Sequence, residues 1–244
     1  MLGRDHALLA AATTLAGGEA AWRLLGHAAV PPGQLAAAAA VTAAFALLPD
    51  IDEPNSTVSS RLGPISAAVS TITHKLAGGH RKATHSLLFV VGVFFAMRFA
   101  GGRPWADVIT VGVSLMLCFG MLIPARFARH GLVVGFVAPA VASWAVWTAT
   151  VHHMGGHHPA TWSWLAWAAA AGVVLHLVGD MLTVEGVPLL WPVRWRQAVP
   201  LLGHTDSLRE QLTGAVLSGA VLGLTWFDVL HPLFAAGAPH IAVR

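Results

Sequence analysis

Long apolar stretches alternate along the chain with short polar breaks, and the breaks fall at Pro, Gly and clusters of charge. The apolar runs are His6 to Leu25, Gln34 to Pro49, His85 to Ala100, Trp105 to Pro124, Gly131 to Val151, Thr161 to Leu182 and Gln211 to Phe234. Runs of this kind read as membrane helices. The expected fold is therefore all-α, a polytopic membrane helical bundle of about seven helices, some of them short or interfacial. Glu19 and Arg23 form an i,i+4 pair on the first run, which suits a partly buried or interfacial helix. The second run has sixteen residues. At about 1.5 Å per residue it reaches roughly 24 Å, short of the roughly 30 Å hydrocarbon core, so burial against neighbours or local thinning is implied. Trp105, Trp144, Trp147, Trp162, Trp164, Trp167, Trp191 and Trp195 bracket the runs, as amphipathic indoles do at membrane interfaces.

Composition agrees. Of 244 residues, 56% are hydrophobic and 10% charged, where a soluble domain carries roughly a quarter charged. A water-soluble fold of this length could not hide so much apolar surface. The net charge is +3 and the pI about 10.0. The basic residues are scattered between apolar runs without a continuous stripe, so no nucleic-acid partner is expected. Cys118 lies within an apolar run and has no second cysteine to pair with. The N-terminus lacks the charged region, apolar core and small-residue cleavage site of a removable signal peptide, so internal helices are expected to direct insertion.

Threading seven spans puts the N-terminus and segments 50–84, 125–130 and 183–210 on one side of the membrane. That side collects Arg4, Arg61, Lys75, Arg81, Lys82, Arg126, Arg129, Arg194, Arg196 and Arg209, against Arg23, Arg98, Arg103 and Arg244 on the other. The positive-inside rule then predicts a multi-pass protein of the inner or plasma membrane with the first face in the cytoplasm.

The unusual polar residues gather on the same face. Asp50 and Asp52 leave the second run between Pro49 and Pro54, and two carboxylates so close repel each other unless a cation or proton lies between them. A solvated turn is the plain alternative. His80 and His85 frame Gly79-His80-Arg81-Lys82-Ala83-Thr84-His85-Ser86, with Thr84 expected to cap the third helix. This basic cluster also suits lipid phosphate or topology alone. His176 and Asp180 are at i,i+4 near the end of the sixth run, one helical face offering two ligands to one metal. Polar groups inside a membrane span are functional by default, although a hydrogen-bonded pair joining two helices is the structural alternative. With His6 on the same face, the candidate metal ligands are His6, Asp50, Asp52, His80, His85, His176 and Asp180. Mixed imidazole and carboxylate donors suit divalent zinc or manganese, and their number allows two ions. Two ions could acidify a bridging water and clamp the oxygens of an in-line displacement at phosphorus. Arg81, beside Lys82, could hold the phosphate.

At these residues the sequence resembles the YdjM-type membrane-bound metal-dependent hydrolases, some of which are described as LexA-regulated inner-membrane proteins. The resemblance runs in ordered blocks: Leu48 to Pro54, Gly79 to Ser86, and His176 to Thr183, continuing through Gly186 to Pro192. Glu53 stands where the family pattern has His, and Lys82 where it has Gly. Glu53 could still bind metal or act as a base, so Asp52, Glu53 and Arg81 are the candidate catalytic residues. The resemblance implies one membrane-embedded hydrolase domain over 1–244, with 105–151 an added helical hairpin. It implies metal hydrolysis, here assigned to a phosphoester or lipid headgroup among membrane lipids, with no obligate protein partner. A metal transporter or sensor and a non-catalytic scaffold are the alternatives. His152, His153, His157 and His158 surround a Gly-Gly turn on the opposite face and are expected to bind metal only adventitiously. His27, His74, His130, His204, His231 and His240 are expected to be solvated or interfacial, with Glu185, Arg194 and Arg196 at the rim of the site.

Overall fold

The computed structural model describes residues 1–24, 26, 29–56, 58–59, 64–101, 103–122, 137, 139–141, 143–144 and 164–237. The described helices are α1 (Gly3–Leu24), α2 (Pro32–Phe45), α3 (Pro64–Ala77), α4 (Leu87–Ala100), α5 (Pro104–Leu122), α6 (Trp164–Met181), α7 (Leu208–Leu224) and α8 (His231–Gly237), with a π-helical turn at Thr225–Leu230 joining the last two. Short 3-10 turns occupy Pro49–Asp52 and Ala83–His85. Among the described residues there is no strand beyond two isolated bridges, Thr183 with Gly203 and Val187 with Gln197. The protein is an all-α membrane bundle.

Helix α2 is the hub. A helix apolar on all sides belongs in a protein core or a membrane span, and the Ala-rich α2 packs against α1, α5 and α6. Val41 and Ala37 meet Val111 and Leu115 of α5 and Leu165 of α6, while Ala39 and Leu35 meet Leu15 of α1. Among the described residues, three stretches are long and apolar enough to cross a membrane: Pro32–Asp52, Trp164–Met181 and Leu208–Phe234. The second run thus gains length from the 3-10 turn that follows it, becoming a 21-residue span whose last residues are Asp50 to Asp52. Most of α7 faces outward, with Leu212, Val216 and Leu222 exposed.

Two local expectations change. Segment 50–84 was expected to be a connecting loop, but it contains α3, whose Val69, Ile72 and Leu76 recur at i, i+3 and i+7. Ser and Thr between them had masked the period. Helix α4 is capped by Ser86, whose Oγ accepts from the Phe89 N–H, instead of by Thr84. Thr84 is turned into the protein interior. Most of the second half of the expected 105–151 hairpin and the histidines at 152, 153, 157 and 158 lie outside the described residues.

Candidate metal centre

Five elements meet at one end of the bundle. Gly172 of α6 lets α2 approach closely: a Cβ there would lie 2.4 Å from the Thr42 carbonyl oxygen and 2.9 Å from the Ala46 nitrogen. One turn later His176 Nδ1 donates to the Ala46 carbonyl at 2.7 Å. That bond fixes the tautomer and leaves Nε2 free to bind metal. Gly172→Ala should wedge the two helices apart. The expected cost is roughly 1–3 kcal/mol, seen as a lower melting temperature in detergent together with reduced metal content.

The His176 Nε2 lone pair points into a ring of donors. It lies 3.1 Å from His85 Nε2, 3.7 Å from Asp50 Oδ1 and 3.6 Å from Asp180 Oδ2. His85 Nε2 is itself 3.6 Å from both Asp50 Oδ1 and Asp180 Oδ2. Ligands about 2.1 Å from a tetrahedral ion stand about 3.4 Å apart, so the 3.6–3.7 Å nitrogen–oxygen spacings come close to the edges of a coordination polyhedron and are too long for good hydrogen bonds, whereas the two imidazole nitrogens at 3.1 Å are within hydrogen-bond range. His6 joins from α1, its ring stacked on that of His176 at 3.8 Å. His6 Nε2 is 3.2 Å from Asp180 Oδ1, within ion-pair range but not in hydrogen-bond geometry. Both His6 ring nitrogens and Asp180 Oδ2 are buried without hydrogen-bond partners. Buried polar atoms are rarely left so, and imidazole nitrogens and carboxylate oxygens that converge in this way fit a cation.

Asp52 is a different kind of residue. Its Oδ2 accepts a short hydrogen bond from Thr84 Oγ1, whose oxygen lies 3.0 Å from His85 Nδ1. Thr84 therefore relays the Asp52 charge to the far nitrogen of His85, the way outer carboxylates orient metal-binding imidazoles. Asp52 Oδ1 pairs with His80 Nδ1 at 2.7 Å, and the Asp52 carbonyl contacts His74 Nδ1 at the same distance. Among the described residues three His/Asp groups result: His6, His176 and Asp180, joined through His176 to Asp50, His85 and His176 as an inner cluster, and an outer group of Asp52, His80 and His85. His80 is one-third exposed and Asp50 is 18% exposed, so the mouth lies on their side.

Arg81 reaches inward from a left-handed backbone conformation, φ 55°. Its Nη2 donates to Asp180 Oδ1 at 3.0 Å and its Nη1 to Glu185 Oε2 at 2.5 Å, while its Nε is buried without a partner. Lys82 Nζ turns back to the Gly78 carbonyl, away from the centre. Glu53 Oε1 accepts from the backbone N–H and the side-chain amide of Asn55 and joins none of these groups. His204 and His231 are exposed as expected, but His74 is not simply solvated, since it holds Asp52.

Glu210, expected with Asp206 and Arg209 only to mark the charged entry of the last helix, is fully buried, as is Asp5, which was not among the candidates. Glu210 accepts from the Leu2 and Asp206 backbone N–H groups, both at 2.5 Å, and so ties the start of α1 to α7. The Met1 amino nitrogen then sits 2.8 Å from Asp180 Oδ1. Asp5 is buried opposite Gly214, where a Cβ would come within 2.6 Å of its carboxylate. The signal for Glu210 was Ser207-Leu208-Arg209-Glu210, a capping-box spacing.

Burial alone would lower the pKa of His85, but Asp50, Asp52 and Asp180 override it and raise it from 6.5 to about 9. Metal-free His85 is then protonated at neutral pH, and an ion at Nε2 must expel that proton. Metal affinity should increase with pH up to about 9. Calorimetric titration of zinc in buffers of different ionisation enthalpy should detect proton release at pH 7.5. For the metal-free protein the sign is opposite: the stabilisation from protonated His85 is complete below 6.5 and is lost as pH rises through about 9.

The matching of known proteins decides the family. A family model described as "YdjM inner membrane protein" matches residues 1–235. The chain belongs to the YdjM family. It is 31% identical over 156 residues to "Inner membrane protein YdjM" of Escherichia coli (strain K12), covering 64% of this chain and 50% of that protein, and matches the Shigella flexneri protein of the same name equally. The chain thus spans about half the length of these curated relatives. It is also 27% identical over 189 residues to "Uncharacterized protein YvsG" of Bacillus subtilis (strain 168), covering 78% of this chain and 76% of that one. No solved structure is significantly similar.

Proposed function

We propose that this YdjM-family protein is a membrane-embedded, metal-dependent hydrolase that cleaves a phosphoester, with a lipid headgroup as substrate, at the cytoplasmic face. The observation that carries this reading is the convergence of Asp50 Oδ1 and Asp180 Oδ2 on His85 Nε2 and His176 Nε2, each carboxylate oxygen lying 3.6–3.7 Å from both nitrogens. A zinc or manganese ion held there supplies Lewis acidity at phosphorus and acidifies water. His6, Asp50, His85, His176 and Asp180 would hold the inner ion, and a second would require Asp52 and His80 to open their contact. The chain's own groups do the rest. Arg81 offers its unpartnered Nε–H to a phosphate oxygen and can exchange Glu185, which is 56% exposed, for the substrate. His80, held by Asp52 at the mouth, is the group placed to pass a proton to a leaving oxygen.

An apolar cavity of about 350 Å³ between α1, α2 and α6, lined by Trp22, Leu35, Trp164 and Leu175, has the character of an acyl-chain site, but the candidate metal ligands do not line it. The basic loops on the site's side favour the cytoplasmic orientation. We read residues 1–244 as one domain with 105–151 as an added hairpin, in keeping with the packing of α5 on α2.

The test is turnover. Protein stripped with chelator, reloaded with zinc or manganese and supplied with phospholipid vesicles should release headgroup only when reloaded. Retained metal without turnover on lipids or soluble phosphodiesters would end the hydrolase reading. The ion pairs of Asp180 with Arg81 and the Met1 amino group favour the rival reading, a metal-free scaffold. That reading requires that the purified protein hold no metal even after incubation with zinc or manganese.

A further inference from the structure

Helix α3 has three sides, and only two are explained by what it touches. Ser66, Ser70 and Ala77 are buried, and His74 on the same side holds the Asp52 carbonyl. Thr71 and Lys75 are exposed and polar. The third side is an apolar stripe: Val69 is 47% exposed, Ile72 58% and Leu76 83%. A second apolar surface lies on the segment between α6 and α7. There Leu190, Val193, Trp195, Val199 and Leu201 are all exposed, with Arg194 and Arg196 exposed among them.

Connectivity fixes the depth of both surfaces. The second surface runs into the outward-facing span Leu208–Phe234 and is pinned to the end of α6 by the Val199 N–H to the Met181 carbonyl and the Leu202 N–H to the Leu182 carbonyl. Helix α3 follows the span Pro32–Asp52 and packs on its 3-10 end. Both therefore sit where spans leave the hydrocarbon. Apolar side chains beside Trp and Arg at that level are the composition of an interfacial anchor, and the arginines are complementary to anionic headgroups.

We propose that the Val69–Ile72–Leu76 stripe of α3 and the Leu190–Leu201 segment lie in the headgroup–acyl boundary of the leaflet on the site's side and bind anionic phospholipid. Arg81 and His80 come from the turn directly after α3, and Glu185 from the start of the second segment. The mouth of the metal centre thus opens between two lipid-anchored pieces of chain, and a phosphate group reaches it sideways from the leaflet. That last consequence rests on the hydrolase reading; the anchoring does not.

The test reads depth and is blind to catalysis. Single cysteines at Ile72, Leu76, Thr71 and Lys75, in a Cys118→Ser background, are labelled with a small fluorophore in vesicles containing phosphatidylglycerol. Nitroxides on the upper acyl chain should quench the labels at 72 and 76, and aqueous iodide those at 71 and 75. Iodide quenching at 72 and 76 would overturn the proposal, and so would shielding from both quenchers, which would mean a protein partner or a second copy covers the stripe. Native mass spectrometry of Arg194→Gln and Arg196→Gln should show phosphatidylglycerol retention roughly fivefold weaker per arginine removed. Unchanged retention would overturn the headgroup assignment. Metal content should stay at the wild-type level throughout. Absence of lipid turnover with correct quenching would count against the hydrolase reading alone.

Discussion

Asp180→Ala should be the most damaging single substitution in the protein. Asp180 is almost fully buried, and its two oxygens face His6, His85, His176, Arg81 and the Met1 amino nitrogen. Removing the carboxylate does not merely delete one ligand. It strands the guanidinium of Arg81, which is itself buried and then keeps only Glu185. Breaking a buried pair on one side costs roughly 3–5 kcal/mol because the remaining charge is uncompensated. Thermal unfolding in detergent should show that loss, and elemental mass spectrometry should show metal falling to background. Asp180→Asn separates the two effects, since the amide keeps the shape and can accept from Arg81. It should recover part of the melting temperature while still losing metal. Equal metal in wild type and Asp180→Asn would show that the buried carboxylate serves only to pair helices.

Much of this centre was legible in the sequence because membrane spans make polar residues conspicuous. His176 and Asp180 stand out in an apolar run, and Asp50 and Asp52 at the exit of the second run, since the bilayer tolerates such groups only for a reason. Periodicity gave the spans, and helical spacing put His176 and Asp180 on one face. What could not be read were the relations that depend on which atom faces which neighbour. Asp52 was expected beside Asp50 in one ligand set, and the 3-10 turn instead directs it to Thr84, His80 and His85, in a candidate group of its own. Glu53 looked like a base, but the same turn sends it to Asn55. Arg81 was expected to wait for phosphate, whereas Asp180 and Glu185 already hold both of its terminal nitrogens. Helix α3 was hidden because an in-plane amphipathic helix carries neither the length of a span nor the uniform polarity of a loop. Glu210 gave only a capping signal, and its grip on the Leu2 N–H needs the N-terminal segment to be folded against α7.

The outer layer supplies the second large effect, and it acts without replacing any inner ligand. Thr84 Oγ1 both donates to Asp52 and lies against His85 Nδ1, so it fixes which His85 nitrogen carries the proton and keeps the Nε2 lone pair aimed inward. Thr84→Val keeps the shape of the side chain but removes that link. Outer-shell losses of this kind weaken metal binding roughly 10–100-fold. Zinc affinity measured by competition with a chelator should fall by about that factor. The deficit should be much smaller in Thr84→Ser, which restores the hydroxyl. The buried Asp52 carboxylate would lose one of its partners in the valine variant but keep His80, so the fold should survive and the affinity loss can be read on intact protein. If valine and wild type bind zinc equally, His85 is oriented by packing alone, and Asp52 belongs to the inner ligand set instead of behind it.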